Sequence, residues 1–133
     1  MSIEEEHQDV LQNIEFVVTQ IYRRHPTLTD YGVLRAYEAL VQTYTAELSG
    51  RPPKPLMLQG GPEGVMLENL RIICEWRLGR INRPNAAGRG EKSEPIDIPT
   101  LIQCLKRLIK SVNKWNKSGG QQGYLHFMTQ FIH

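Results

Sequence analysis

The stretch that decides the fold is Arg51–Gly64, "RPPKPLMLQGGPEG". Pro52 and Pro55 with Arg51 ahead form a P-x-x-P pattern of the SH3-ligand kind. That pattern is common by chance, and here it sits inside a folded chain. The glycines of "QGGPEG" precede a helix start, where anions bind, but the lysine and hydroxyl of a phosphate-binding loop are missing. A connector accounts for more of the residues. In polyproline form, at about 3.1 Å per residue, Gly50 to Gly61 reaches roughly 35 Å. An 18-residue helix is about 27 Å long, so the segment is long enough to run the length of a bundle, with Leu56, Met57 and Leu58 packing as it goes. The helices on either side of it are therefore free to run parallel.

Outward from this segment the chain reads as helices. Upstream, Ile3, His7, Val10, Leu11, Ile14, Val17, Val18 and Ile21 recur at helical spacing behind a Ser2/Glu5 capping box. Pro26 disfavours helix at His25 and sets the end near Arg24. Thr29 or Asp30 offers the next N-cap, and Val33, Leu34, Tyr37, Leu40, Val41, Tyr44 and Leu48 form a second stripe ending at Gly50. The short link between these helices predicts an antiparallel pair.

Downstream, Pro62 and Gly79 bracket a third helix by the proline-in, glycine-out asymmetry. Its apolar residues cover about two-thirds of the helical wheel. It is therefore either central or two-faced, with Ile72 and Trp76 leading a face toward a partner or a second copy. Residues 79 to 97 show no periodicity and form a long loop. A fourth helix carries Ile98, Leu101, Ile102, Leu105, Leu108, Ile109, Val112 and Trp115 on one face. After "KSGGQQG", the arc Tyr124, Leu125, Phe127, Met128, Phe131 and Ile132 suggests a last short helix. The glycines before it would let that element dock on its own bundle or on a neighbouring copy.

The fold class is thus all-α: one domain, a four-helix bundle with a short C-terminal helix and two long connecting loops. The expected helices span about 3–24, 30–49, 62–78, 98–117 and 123–132. At 133 residues the chain can bury a core without staples. Cys74 and Cys104 sit in apolar stripes and read as buried thiols. No transmembrane run and no basic, apolar leader is visible, so the expectation is a cytoplasmic protein.

Charge is unevenly placed. Residues 1 to 50 carry eight acids and three bases, whereas residues 98 to 133 carry five bases and no acid. Those five, Lys106, Arg107, Lys110, Lys114 and Lys117, share the polar face of the fourth helix. Such a face suits an acidic partner, nucleic acid or another polyanion, or simply solvent. The loop adds Arg77, Arg80, Arg83 and Arg89 as forks for carboxylate or phosphate.

Catalytic signatures are missing. His7, His25, His126 and His133 are scattered, and no nucleophile elbow, phosphate-binding loop or dinucleotide fingerprint occurs. No metal or cofactor is implied. The reading is a non-enzymatic protein-interaction or regulatory module, with a protein partner or a second copy in a homodimer, and with candidate interface residues Ile72, Trp76, Tyr124, Phe127 and Phe131. The alternatives are nucleic-acid or polyanion binding through the basic face and arginine loop, and an enzyme whose site only the fold assembles.

Overall fold

The computed structural model describes residues 3–52, 60–85, 87, 94–117, 123–125 and 128, with the side chains of 3–6, 116 and 117 left aside. Four helices are described: α1 (Ile3–Arg24), α2 (Asp30–Leu48), α3 (Gly61–Arg77) and α4 (Ile98–Lys117). Each end has a local cause. Past α1, the chain turns at Pro26, with Leu28 N–H donating to the His25 carbonyl at 3.0 Å. Thr29 caps α2 by accepting from Gly32 N–H at 3.1 Å. Asp97 caps α4 by accepting from Thr100 N–H at 2.8 Å. The Ser2/Glu5 capping box lies outside the described side chains.

α2 and α3 end in matching Schellman motifs. Gly50 (φ +72°) and Gly79 (φ +79°) supply the left-handed residue. Arg51 N–H bonds Ala46 O at 2.8 Å, and Arg80 N–H bonds Glu75 O at 2.9 Å.

The contacts between helices fix their directions. Along α2 and α3, Gly32 lies against Glu63, Tyr44 against Glu75 and Glu47 against Arg80, start to start and end to end. α2 and α3 are therefore parallel. Gly32 permits the first of these contacts, because a Cβ there would fall 2.8 Å from Glu63 Cγ. Arg77 at the end of α3 meets Asp9 near the start of α1, so those two are antiparallel. α1 packs on α3 and α4, and α2 packs on the same two. α1 and α2 are opposite in direction but sit diagonally, not as the neighbouring pair that their short link suggested.

Parallel α2 and α3 require the intervening chain to travel the length of the bundle, as the reach of the Gly50–Gly61 connector allowed. Residues 53–59, including Leu56, Met57 and Leu58, lie outside the described residues.

Val10, Ile14, Val18 and Ile21 of α1, Tyr37 and Leu40 of α2, Met66, Leu70 and Ile73 of α3, and Leu101, Leu105 and Leu108 of α4 fill one core. Of the expected last helix, Tyr124, Leu125 and Met128 are described, helical and buried in that core. Among the described residues, no helix is long and apolar enough to cross a membrane.

Candidate functional site

Four places gather polar or surface groups, and the 78–97 segment shapes the first. Its neck closes where Ile96 N–H bonds Arg77 O at 2.9 Å and Pro95 packs beside Gly79. Its middle is pinned by Ala87, which is buried and accepts from Asn13 Nδ2 at 3.3 Å. Below it lies a buried polar cluster. Arg77 is only 3% exposed and pairs through Nη2 with Asp9 Oδ2 at 3.0 Å. His7 is buried nearby in sequence, and its Nδ1 has no hydrogen-bond partner among the described residues. Arg77 also acts electrostatically on Cys104. Burial dominates that thiol and pushes it up to about 11, while Arg107 and Arg77 pull it back. Burial likewise drives Cys74 up, so neither thiol is a ready nucleophile. No group of three or more His, Cys, Asp or Glu among the described residues is placed to hold a metal ion.

The arginine loop is largely committed inside the molecule. Arg77 belongs to the buried pair and not to an anion-binding surface. Arg80 bridges Glu47 at 3.1 Å and Glu75 at 3.3 Å, and Tyr44 O–H donates to the same Glu75 at 2.8 Å. Hydrogen bonding to Glu47 raises the Arg80 pKa further, so its charge is permanent. Arg83 lies over the Trp76 ring, 5.6 Å from its centroid, and Arg77 lies 5.2 Å from the same ring. Arg89 lies outside the described residues.

The proposed α3 interface is weaker than its sequence suggested. Trp76 is half-buried against the core, and Ile72 is half-buried on the outer side of α3. Tyr124 is fully buried within its own chain, so it is a core residue and not a displayed one. Phe127 and Phe131 lie outside the described residues. Among the described residues, the larger exposed apolar side chains are Tyr31, Leu48, Val65 and Ile81.

The α4 surface is different. Lys106, Lys110 and Lys114 are exposed at successive i, i+4 positions, with Arg107 half-buried beside them. Each step along this row rises about 6 Å. None of the four forms an ion pair among the described residues. Lys117 continues the row in sequence, its side chain outside the described set. The opposite face of α4 is apolar and buried through Leu101, Leu105, Leu108 and Val112.

A fourth place, missed from sequence, joins the start of α2 to Tyr124 and Leu125. Asp30 at the start of α2 accepts from Tyr124 N–H at 2.9 Å and from Leu125 N–H at 3.0 Å. The Tyr37 and Tyr124 hydroxyls lie 3.4 Å apart in the core. Glu15, half-buried on α1, is within electrostatic reach of both tyrosines. The readable signal was Asp30 itself, an acid at a helix start whose carboxylate had no further role assigned.

Comparison with known proteins returned no matching family model, no similar curated protein and no similar solved structure.

Proposed function

We propose that this chain is a non-enzymatic interaction module that docks an acidic protein surface on the polar face of α4. The observation that carries the reading is the row Lys106, Lys110 and Lys114, exposed and without acidic partners among the described residues. Elsewhere Arg77 and Arg80 are used in internal ion pairs, and exposed arginines such as Arg24 and Arg71 lie on other helices, whereas α4 gathers its cations in one row. Four cations along one helix face attract a carboxylate-bearing surface and speed its approach.

An acidic protein fits better than nucleic acid for three reasons. The row is made of lysines, which act as point charges, and the one arginine fork beside it is half-buried. Trp115, the aromatic of α4, is partly packed on the core and offers no open stacking platform. The net charge of the whole chain is +2, low for a polyanion binder.

The test is fluorescence anisotropy at low and high salt with two labelled probes, a glutamate-rich helical peptide and a mixed-sequence single-stranded RNA. The expected result is peptide binding that weakens with salt and is lost in a Lys106→Glu, Lys110→Glu, Lys114→Glu variant that stays folded by circular dichroism. Absence of peptide binding at low salt refutes the reading. Tighter binding of the RNA replaces it with nucleic-acid binding.

A further inference from the structure

The surface that carries the lysine row does not end at α4. Ile96 N–H on Arg77 O sets the start of α4 beside the end of α3, and Asp30 at the start of α2 receives the amides of Tyr124 and Leu125, a few residues past the end of α4. α4 therefore runs antiparallel to α2, and the two pack on each other. Gly32 and Glu47 mark the flank of α2 that meets α3. At about 100° per residue, Leu34, Val41 and Leu48 stand about 100–200° around from those two, on the flank toward α4 and the outside. Their seven-residue spacing keeps them in one line, since seven residues fall only about 20° short of two full turns.

Leu34 and Val41 are half-buried, packed on the core with an edge left to solvent, and Leu48 is 55% exposed. α2 has 19 residues and α4 has 20, so in the antiparallel pair the middle of one helix faces the middle of the other. Val41 then stands level with Lys106 and Lys110, and Leu48 stands where α4 begins. The right-handed turn of both helices puts Lys106 and the half-buried Ile109 on the flank of α4 that adjoins α2. The seam between the two helices thus has an apolar floor, formed by Leu34, Val41, Leu48 and Ile109, and one cationic wall. Its other wall, on α2, carries the exposed Glu38 and Gln42. The two walls differ in charge, so the seam has a polarity across its width.

Given the reading of α4 as an acid-docking face, on which this rests, we propose that the α2/α4 seam seats an amphipathic acidic helix of a partner protein. Its apolar side chains lie on the floor and its carboxylates lie against Lys106, Lys110 and Lys114. Charge selects the occupant. The lysines attract and orient an acidic helix, while burial of the floor supplies affinity that salt does not screen. A second copy using the same face is disfavoured, because a twofold contact across the seam brings two lysine rows together. Two packed antiparallel helices present a groove of the kind that receives a third, and apolar residues at heptad spacing on the partner match the spacing of Leu34, Val41 and Leu48.

The experiment is fluorescence anisotropy on the full chain with three labelled helical peptides of equal charge. The first has glutamates at successive i, i+4 positions and leucines at heptad spacing on the neighbouring face; the second has alanine in place of those leucines; the third has the leucines on the opposite face. The first should bind at least about tenfold tighter than the other two, since burial of one leucine suffices for that factor. The ratio should persist as added salt weakens all three. Leu48→Ser, at an exposed helix end, should cut the ratio at least about threefold while salt-dependent binding remains. Val65→Ser, at an exposed apolar position on α3, should leave the ratio intact. Equal binding of the three peptides, or a ratio that ignores Leu48→Ser, overturns the seam and leaves the lysine row standing; binding of none of them removes both. A dimer in sedimentation that Leu48→Ser dissociates assigns the seam to a second copy and overturns the proposal. Nuclear Overhauser contacts from Leu48 to Leu56, Met57 or Leu58 of its own connector overturn it as well.

Discussion

Replacing Arg77 with methionine keeps much of the side-chain length and removes the charge. The partner, Asp9, is 12% exposed, so the substitution strands a carboxylate where little water reaches it. At the 3.0 Å separation of the pair, the attraction is about 5 to 6 kcal/mol for an effective dielectric constant near 20. Desolvation of both groups offsets part of that, and removal of one partner of a buried pair typically costs about 3–5 kcal/mol. Losing the guanidinium over Trp76 adds about 0.5–1 kcal/mol. Arg77→Met should therefore cost about 4 kcal/mol, a large part of the roughly 5–15 kcal/mol that holds an ordinary domain folded. Asp9→Leu combined with Arg77→Met removes both charges and should recover most of the loss, because two apolar groups need no solvent. Urea unfolding followed by circular dichroism measures Arg77→Met, Asp9→Leu and the double variant, with slopes checked for constancy. The reasoning is refuted if Arg77→Met costs less than about 1 kcal/mol, or if the double variant is no more stable than the sum of the two single losses predicts.

Three further outcomes are expected. Gly50→Ala and Gly79→Ala both force alanine into a left-handed cap, each costing about 1 kcal/mol. The second should cost more in thermal melts, because its Cβ would lie 2.9 Å from Pro95 Cγ whereas nothing stands near Gly50. The native chain should resist alkylation by iodoacetamide at pH 8, since Cys104 is pushed up to about 11 and Cys74 is driven up as well. Labelling of both thiols should appear on denaturation, as mass spectrometry would show. Lys106→Gln, Lys110→Gln and Lys114→Gln should each leave stability within about 0.5 kcal/mol of the native chain in urea titrations, since these exposed side chains have no described ion pairs to lose.

The helix ends were legible because their causes are local. Pro26, Thr29, Gly50, Pro62 and Gly79 act within one turn of themselves, and the helices start or stop within a residue of where these residues place them. The α4 lysine row was legible for a similar reason, since a single helix period puts those residues on one face. What periodicity does not carry is which helix lies beside which. The brief Arg24–Asp30 link suggested neighbours, yet α1 and α2 sit across a diagonal because the α3 and α4 faces take the adjoining places. The same blindness misplaced Arg77. At the end of a helix it resembled a loop arginine, and only Asp9, far off in sequence, turns it inward. Tyr124 had the composition of a surface anchor, but Asp30 and Tyr37 hold it in the core.

The diagonal placement has a consequence for how the chain folds. A simple up-and-down bundle assembles from helical hairpins, each closing over a short loop and gaining contacts early. Here neither α1 with α2 nor α3 with α4 forms such a hairpin, and the one consecutive pair that packs, α2 with α3, is joined by the long Gly50–Gly61 crossover. Each of the main helix-to-helix packings must therefore wait for a distant closure, which places the nucleus late and raises the entropic barrier. This all-helical chain should fold more slowly than its helix content implies, and as one unit in which no two adjacent helices persist alone.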